Sequence, residues 1–186
     1  MAIVVTVPHA TEPAPDQGAV LFTKYLQSIM TTRDIDYYIV NGDKPKAMIP
    51  LSTYYARGTD YNTELSVAIE MSELLIEVQS FGGESDSEYT EWDFVIGDLP
   101  DYSDDDMTNA LYNYIDDFGD CSVEEVLPKN HYPSVLSEFV YEKPAIIINV
   151  NENVSDKFMA VAERLVDFAV EYAAHRTSMA RSSMST

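Results

Sequence analysis

Short apolar runs alternate along this chain with stretches whose apolar positions recur at helical spacing. "AIVVTV" (2–7) is β-branched and apolar without alternation, the pattern of a strand buried on both faces. From Asp16, a capping residue, a helix is predicted to about residue 31, with Leu21, Tyr25, Ser28 and Ile29 on one stripe. "DYYIV" (36–40) reads as a second strand, closed by the turn signal "NGDKP". Residues 47–62 lack a period and lead into a predicted helix at 63–72.

"LLIEVQSF" (74–81) is the next strand, ended by the loop composition "GGESDSE", and "WDFVIG" (92–97) a further one. Ser103 with Asp106 opens a predicted helix to about residue 118, and a shorter helix is predicted over 134–142. "PAIIINVN" (144–151) is again a buried strand. Ser155 then caps a last helix whose apolar stripe is Phe158, Val161, Ala162, Leu165, Ala169 and Tyr172. Strands alternating with helices predict one α/β domain over 1–175, a mixed and mainly parallel sheet between helices. The polar residues 176–186 are read as a flexible tail.

Composition adds one strong constraint. The 186 residues suit one domain with a sizeable core, but carry a net charge of −21. Such a surface repels phosphate backbones and anionic lipid, so nucleic acid and membrane are excluded as expected partners, and a basic protein is favoured. The single cysteine, Cys121, allows no internal disulfide, and the acids around it in "FGDCSVEE" disfavour a thiolate. No apolar run reaches the length of a membrane span, and no basic segment precedes the first one as in a signal peptide. The expected location is cytoplasmic or otherwise intracellular, a virion included.

Sites in α/β folds collect at the carboxyl ends of strands, and three strands here end in "PHATE", "QSFGG" and "NVNEN". His9 and Glu12, three residues apart after the first strand, can curl toward one point as two ligands of a zinc site. A plain polar turn has the same composition. His131 lies in a loop, where it either stands in as a ligand or faces solvent, and His175 suits the last turn of the terminal helix. The acids of "GDLPDYSDDDM" are contiguous and lack the mid-loop glycine of a calcium loop, so helix capping explains them better. Ser80 has neither a nucleophile elbow nor a histidine partner in the sequence.

The order "VPHATE", "ARGTDYN", "LLIEVQSF" and "AIIINVNEN" resembles the N-formylglutamate amidohydrolase family of the zinc carboxypeptidase-like group, from residue 2 to about 172. The resemblance implies a zinc carboxypeptidase-like fold. It places His9 and Glu12 at the first two metal-ligand positions, and Arg57, Asp60 and Asn62 in the segment that holds a substrate carboxylate. Three stations depart from the family. The arginine expected after Asn62 is Thr63, the third ligand, a histidine in the family, is Gln79, and the late glutamate that serves as base is Asn149. Glu152, three residues on, is a possible substitute for that base. An amide oxygen is a poorer zinc donor than imidazole, and an asparagine cannot accept a proton from metal-bound water.

The expectation is therefore a catalytically degenerate member, kept as a binding or structural component of a larger particle, with no cofactor required and any zinc weakly bound by His9, Glu12 and Gln79. Two rivals stand beside it. One is a working zinc-dependent amidohydrolase or carboxypeptidase acting on an N-acyl amino acid or peptide. The other is a metal-free module that binds a small ligand through Arg57 and Asn62.

Overall fold

The computed structural model of the chain describes residues 2–8, 10, 17–42, 60–81, 93–97, 123–126 and 145–183. The strands are β1 (Ala2–Val7), β2 (Asp36–Asn41), β3 (Leu74–Phe81), β4 (Phe94–Gly97), β5 (Val123–Val126) and β6 (Ala145–Asn151). The helices are α1 (Gln17–Thr32), α2 (Asp60–Glu70) and α3 (Phe158–Ser183), with a 3-10 turn over Glu152–Lys157 leading into α3. The predicted helices at 103–118 and 134–142 lie outside the described residues.

The six strands form one sheet in the order β2-β1-β3-β6-β4-β5. β2, β1, β3 and β6 run parallel, β4 is antiparallel to β6, and β5 is parallel to β4. This is the mixed, mainly parallel α/β sheet that the alternating pattern predicts. β1, β3 and β6 are neighbours, so the ends of the three runs that look chemically interesting share one rim.

Alternation along the strands builds two cores. On one face Ile3, Val5, Val7, Leu74, Ile76, Val78, Ile146, Ile148 and Val150 pack against α1 and α3. The rings of Phe22 and Phe158 meet edge-on at 5.4 Å, with Phe94 6.3 Å and 6.2 Å from them. On the other face Val4, Val40, Leu75, Ala145 and Ile147 pack against Leu65, Ala68 and Ile69 of α2. The buried stripe of α1 is Ala19, Phe22, Leu26, Ile29 and Met30, rotated from the stripe the sequence suggests. Leu21 is left exposed because the sheet takes the larger phenylalanine instead.

Three further boundaries differ from the sequence reading. α2 begins at Asp60 and takes in residues 60–62, which the sequence pattern left irregular. Ser155 falls inside the 3-10 turn; Asn151 caps that turn instead, its side-chain oxygen accepting from Asn153 N at 3.0 Å. α3 then runs on to Ser183, into the stretch read as a tail, where Ala180 favours helix.

α1 ends in a Schellman motif. Ile35 N donates to Met30 O at 3.0 Å and Asp34 N to Thr31 O at 3.3 Å, with Asp34 in the left-handed region at φ 55°. No described helix is long and apolar enough to cross a membrane.

Candidate functional site

The rim where β1, β3 and β6 end is apolar on one face and polar on the other. Along β3, Leu75 is followed on its face by Glu77 and Gln79; along β6, Ala145 and Ile147 are followed by Asn149 and Asn151. Thr6 joins them, in register with Glu77. All five polar side chains are buried, each 4 % exposed or less. A buried polar group must find partners or carry a penalty, so their bonding says what the rim can do.

Thr6 Oγ1 donates to Val40 O at 3.1 Å. Gln79 Nε2 donates to Glu77 Oε1 at 2.5 Å, and this contact fixes the amide, because a carboxylate oxygen takes the N–H end. Among the described residues, Gln79 Oε1 is left without a partner, and so is Asn149 Nδ2. The two residues are register partners in the β3–β6 pairing, so one orphan acceptor and one orphan donor stand on adjacent strands.

Glu152 lies elsewhere. Its Oε1 accepts from Ser80 Oγ at 2.8 Å and from Gly18 N at 3.3 Å, at the first turn of α1. Ser80 has the opposite parity to Gln79 in β3, so Glu152 is engaged on the α1 face of the sheet, away from Asn149. A Cβ at Gly18 would sit 2.6 Å from Glu152 Cγ and 2.8 Å from Ser80 Cβ, so this seat needs glycine.

The exit of β1 is clamped by Gly42. Gly42 N donates to Val7 O at 2.8 Å and Gly42 O accepts from Ala10 N at 3.0 Å, bracketing the sequence Pro8-His9. His9, Glu12, Arg57 and His131 lie outside the described residues, as does the side chain of Asn62. Thr63 is exposed on the first turn of α2. With Tyr38, Val40, Glu64, Val67 and Met71 it lines a groove of about 520 Å³ between β2 and α2.

The family that the sequence resembles would carry a metal ligand and a base at these two positions. Gln79 offers one neutral oxygen, and Asn149 presents N–H groups that a cation repels and that cannot take a proton. The pair does not fit those two roles. Among the described residues, no three His, Cys, Asp or Glu side chains come together as a metal site. The polar strip of Thr6, Glu77 and Asn151 beside the pair was not singled out from the sequence; alternating polar positions within the otherwise apolar strands "LLIEVQSF" and "AIIINVN" are the signal that could have found it.

No family model and no curated protein matches the chain. Solved structures do. Gene product Atu2144 from Agrobacterium tumefaciens aligns with a TM-score of 0.65 at 10% identity, covering 94% of this chain and 91% of that one. The N-acetylmuramoyl-L-alanine amidase AmiC2 of Nostoc punctiforme aligns at 0.57 and 11%, covering 92% and 97%. The N-formylglutamate amidohydrolase from Ralstonia eutropha JMP134 aligns at 0.55 and 9%, covering 89% and 93%. The chain therefore has the fold shared by these amidases and amidohydrolases, related to the zinc carboxypeptidase-like group. At such identities the likeness speaks for the fold alone.

Proposed function

We propose that this chain is an amidohydrolase-like protein that has given up hydrolysis and serves as a binding or structural component of a larger assembly, a viral particle included. The observation that carries this reading is the Gln79–Asn149 pair. Two neutral amides stand on adjacent strands where the family resemblance calls for an imidazole ligand and a general base. The charge of −21 favours a basic protein partner over nucleic acid or membrane. Any zinc held by His9, Glu12 and Gln79 is weakly bound in this reading, and Arg57 and Asn62 remain to hold a ligand carboxylate.

The alternative is a zinc-dependent amidohydrolase or carboxypeptidase acting on an N-acyl amino acid or peptide. It draws support from the amidases and the N-formylglutamate amidohydrolase that share the fold. One experiment separates the two. Protein purified without chelators is analysed for zinc and assayed on N-formyl and peptide substrates. Well under one equivalent of zinc and no turnover are expected. Stoichiometric zinc, with turnover abolished by His9→Ala, would establish the enzyme instead.

A further inference from the structure

We propose that Gln79 and Asn149 together form a binding site for a neutral ligand group carrying one N–H donor and one carbonyl acceptor on the same edge, as a carboxamide or a residue of an extended peptide does. The inference rests on the binding reading above and gives that site its ligand class.

Both residues are almost wholly buried, at 2 % and 4 % exposure, yet Gln79 Oε1 and Asn149 Nδ2 lack partners among the described residues. On that face the strands pass from apolar to polar toward the rim, with Thr6, Glu77 and Asn151 beside the pair. Ile147 precedes Asn149 on the same face of β6, and Leu75 occupies that face of β3. Gln79 is tied to Glu77 through its Nε2, but its Oε1 makes no such bond, and a leucine at 149 would leave no orphan donor, so a purely structural core gains nothing from these two atoms. A ligand that supplies the missing donor and acceptor satisfies both at once.

Charge and polarity narrow the ligand. The Nδ2 hydrogens of Asn149 oppose a cation. An anion would face Gln79 Oε1, an acceptor with no hydrogen to offer it. A neutral group has neither conflict. It must donate to Gln79 Oε1 and accept from Asn149 Nδ2, which are side by side because the strands pair in register. A primary carboxamide and an extended peptide residue both present N–H and C=O on one edge, and they are the two sources to be distinguished.

The test uses the full chain labelled with ¹⁵N, observing the side-chain amide resonances of Gln79 and Asn149. The probes are propionamide, a tri-alanine peptide acetylated and N-methylamidated at its ends, and methyl propionate as a control without a donor. The expected result is a saturable shift of both resonances with propionamide or with the peptide, the stronger of the two naming the source, and none with the ester. Gln79→Met and Asn149→Leu should each weaken that binding about tenfold or more; Asn149→Leu should melt no lower than the parent, whereas Gln79→Met also strips the buried Glu77 Oε1 of its donor and should melt lower. The proposal is overturned if neither amide probe saturates, if the ester binds equally, or if binding survives both substitutions. Lower melting of Asn149→Leu would show that its Nδ2 is satisfied inside the fold, by bound water, and would also overturn it. Zinc content and hydrolysis do not enter these readouts, so this site and the loss of catalysis stand or fall separately.

Discussion

Glu152 accepts a 2.8 Å hydrogen bond from Ser80 Oγ and, through the same oxygen, the N–H of Gly18 at 3.3 Å. One carboxylate thus joins the exit of β6 to β3 and to the amino end of α1, where the helix dipole favours negative charge. Glu152→Ala should destabilise the fold by about 1–2 kcal/mol, lowering the melting temperature by about 2–6 °C. Glu152→Gln keeps an oxygen for the Ser80 and Gly18 donors and should recover about half of the loss. Thermal unfolding followed by circular dichroism reads both. If Glu152 were a hydrolytic base, Glu152→Gln would abolish turnover while leaving the fold nearly intact.

Gly42 is the second fixed point of the rim. A Cβ there would lie 2.4 Å from Pro8 O, and the clash is with backbone, which cannot rotate away. The hydrogen bonds on either side of it hold the chain on both flanks of His9. Gly42→Ala should therefore cost about 2–4 kcal/mol, in the upper range for a single substitution. Denaturant unfolding measures this. A loss below half a kcal/mol would mean that the contact with Pro8 yields freely.

Asp34 offers the opposite sign. It occupies the left-handed C′ position of the Schellman motif, which glycine adopts without strain, and its negative charge sits at the carboxyl end of α1. Asp34→Gly should stabilise by about 0.5–1 kcal/mol, and Asp34→Val should destabilise by a similar amount, since a β-branched residue resists φ above zero. Paired thermal melts of the two variants check the sign.

These cases mark where the sequence was readable. "LLIEVQSF" and "AIIINVN" identified themselves because central parallel strands are buried on both faces and leave long apolar runs. "VEEV" (123–126) did not, since a four-residue strand with two acids carries no such run. The start of α2 was missed because residues 60–62 contribute nothing to the apolar period that Leu65, Ala68 and Ile69 define. Within the site, the residue types at 79 and 149 were visible at once. Their adjacency was not, because register is set by long-range pairing that no local pattern encodes. The seat of Glu152 depends on Gly18, far away in sequence, and was equally hidden.

The last prediction asks whether the amide pair is what separates this chain from a zinc hydrolase. Gln79→His would put an imidazole at the carboxyl end of β3, and Asn149→Glu a carboxylate beside it on β6. Buried in register and on one face, the two new side chains should form a charged hydrogen-bonded pair that the neutral amides cannot make. Together with His9 and Glu12 the imidazole would complete three ligands of the types that zinc takes. Metal affinity should rise first, by roughly tenfold or more over the parent, as an imidazole replaces an amide oxygen. Hydrolysis of N-formyl substrates should stay low even then, because Thr63 cannot make the bidentate grip on a carboxylate that arginine makes. Adding Thr63→Arg should act on KM more than on kcat, since it strengthens holding and leaves the metal unchanged. Zinc titration of the double variant, followed by kinetics of the triple variant, tests the sequence of gains. A double variant that binds zinc no better than the parent would show that His9 and Glu12 do not converge on this rim.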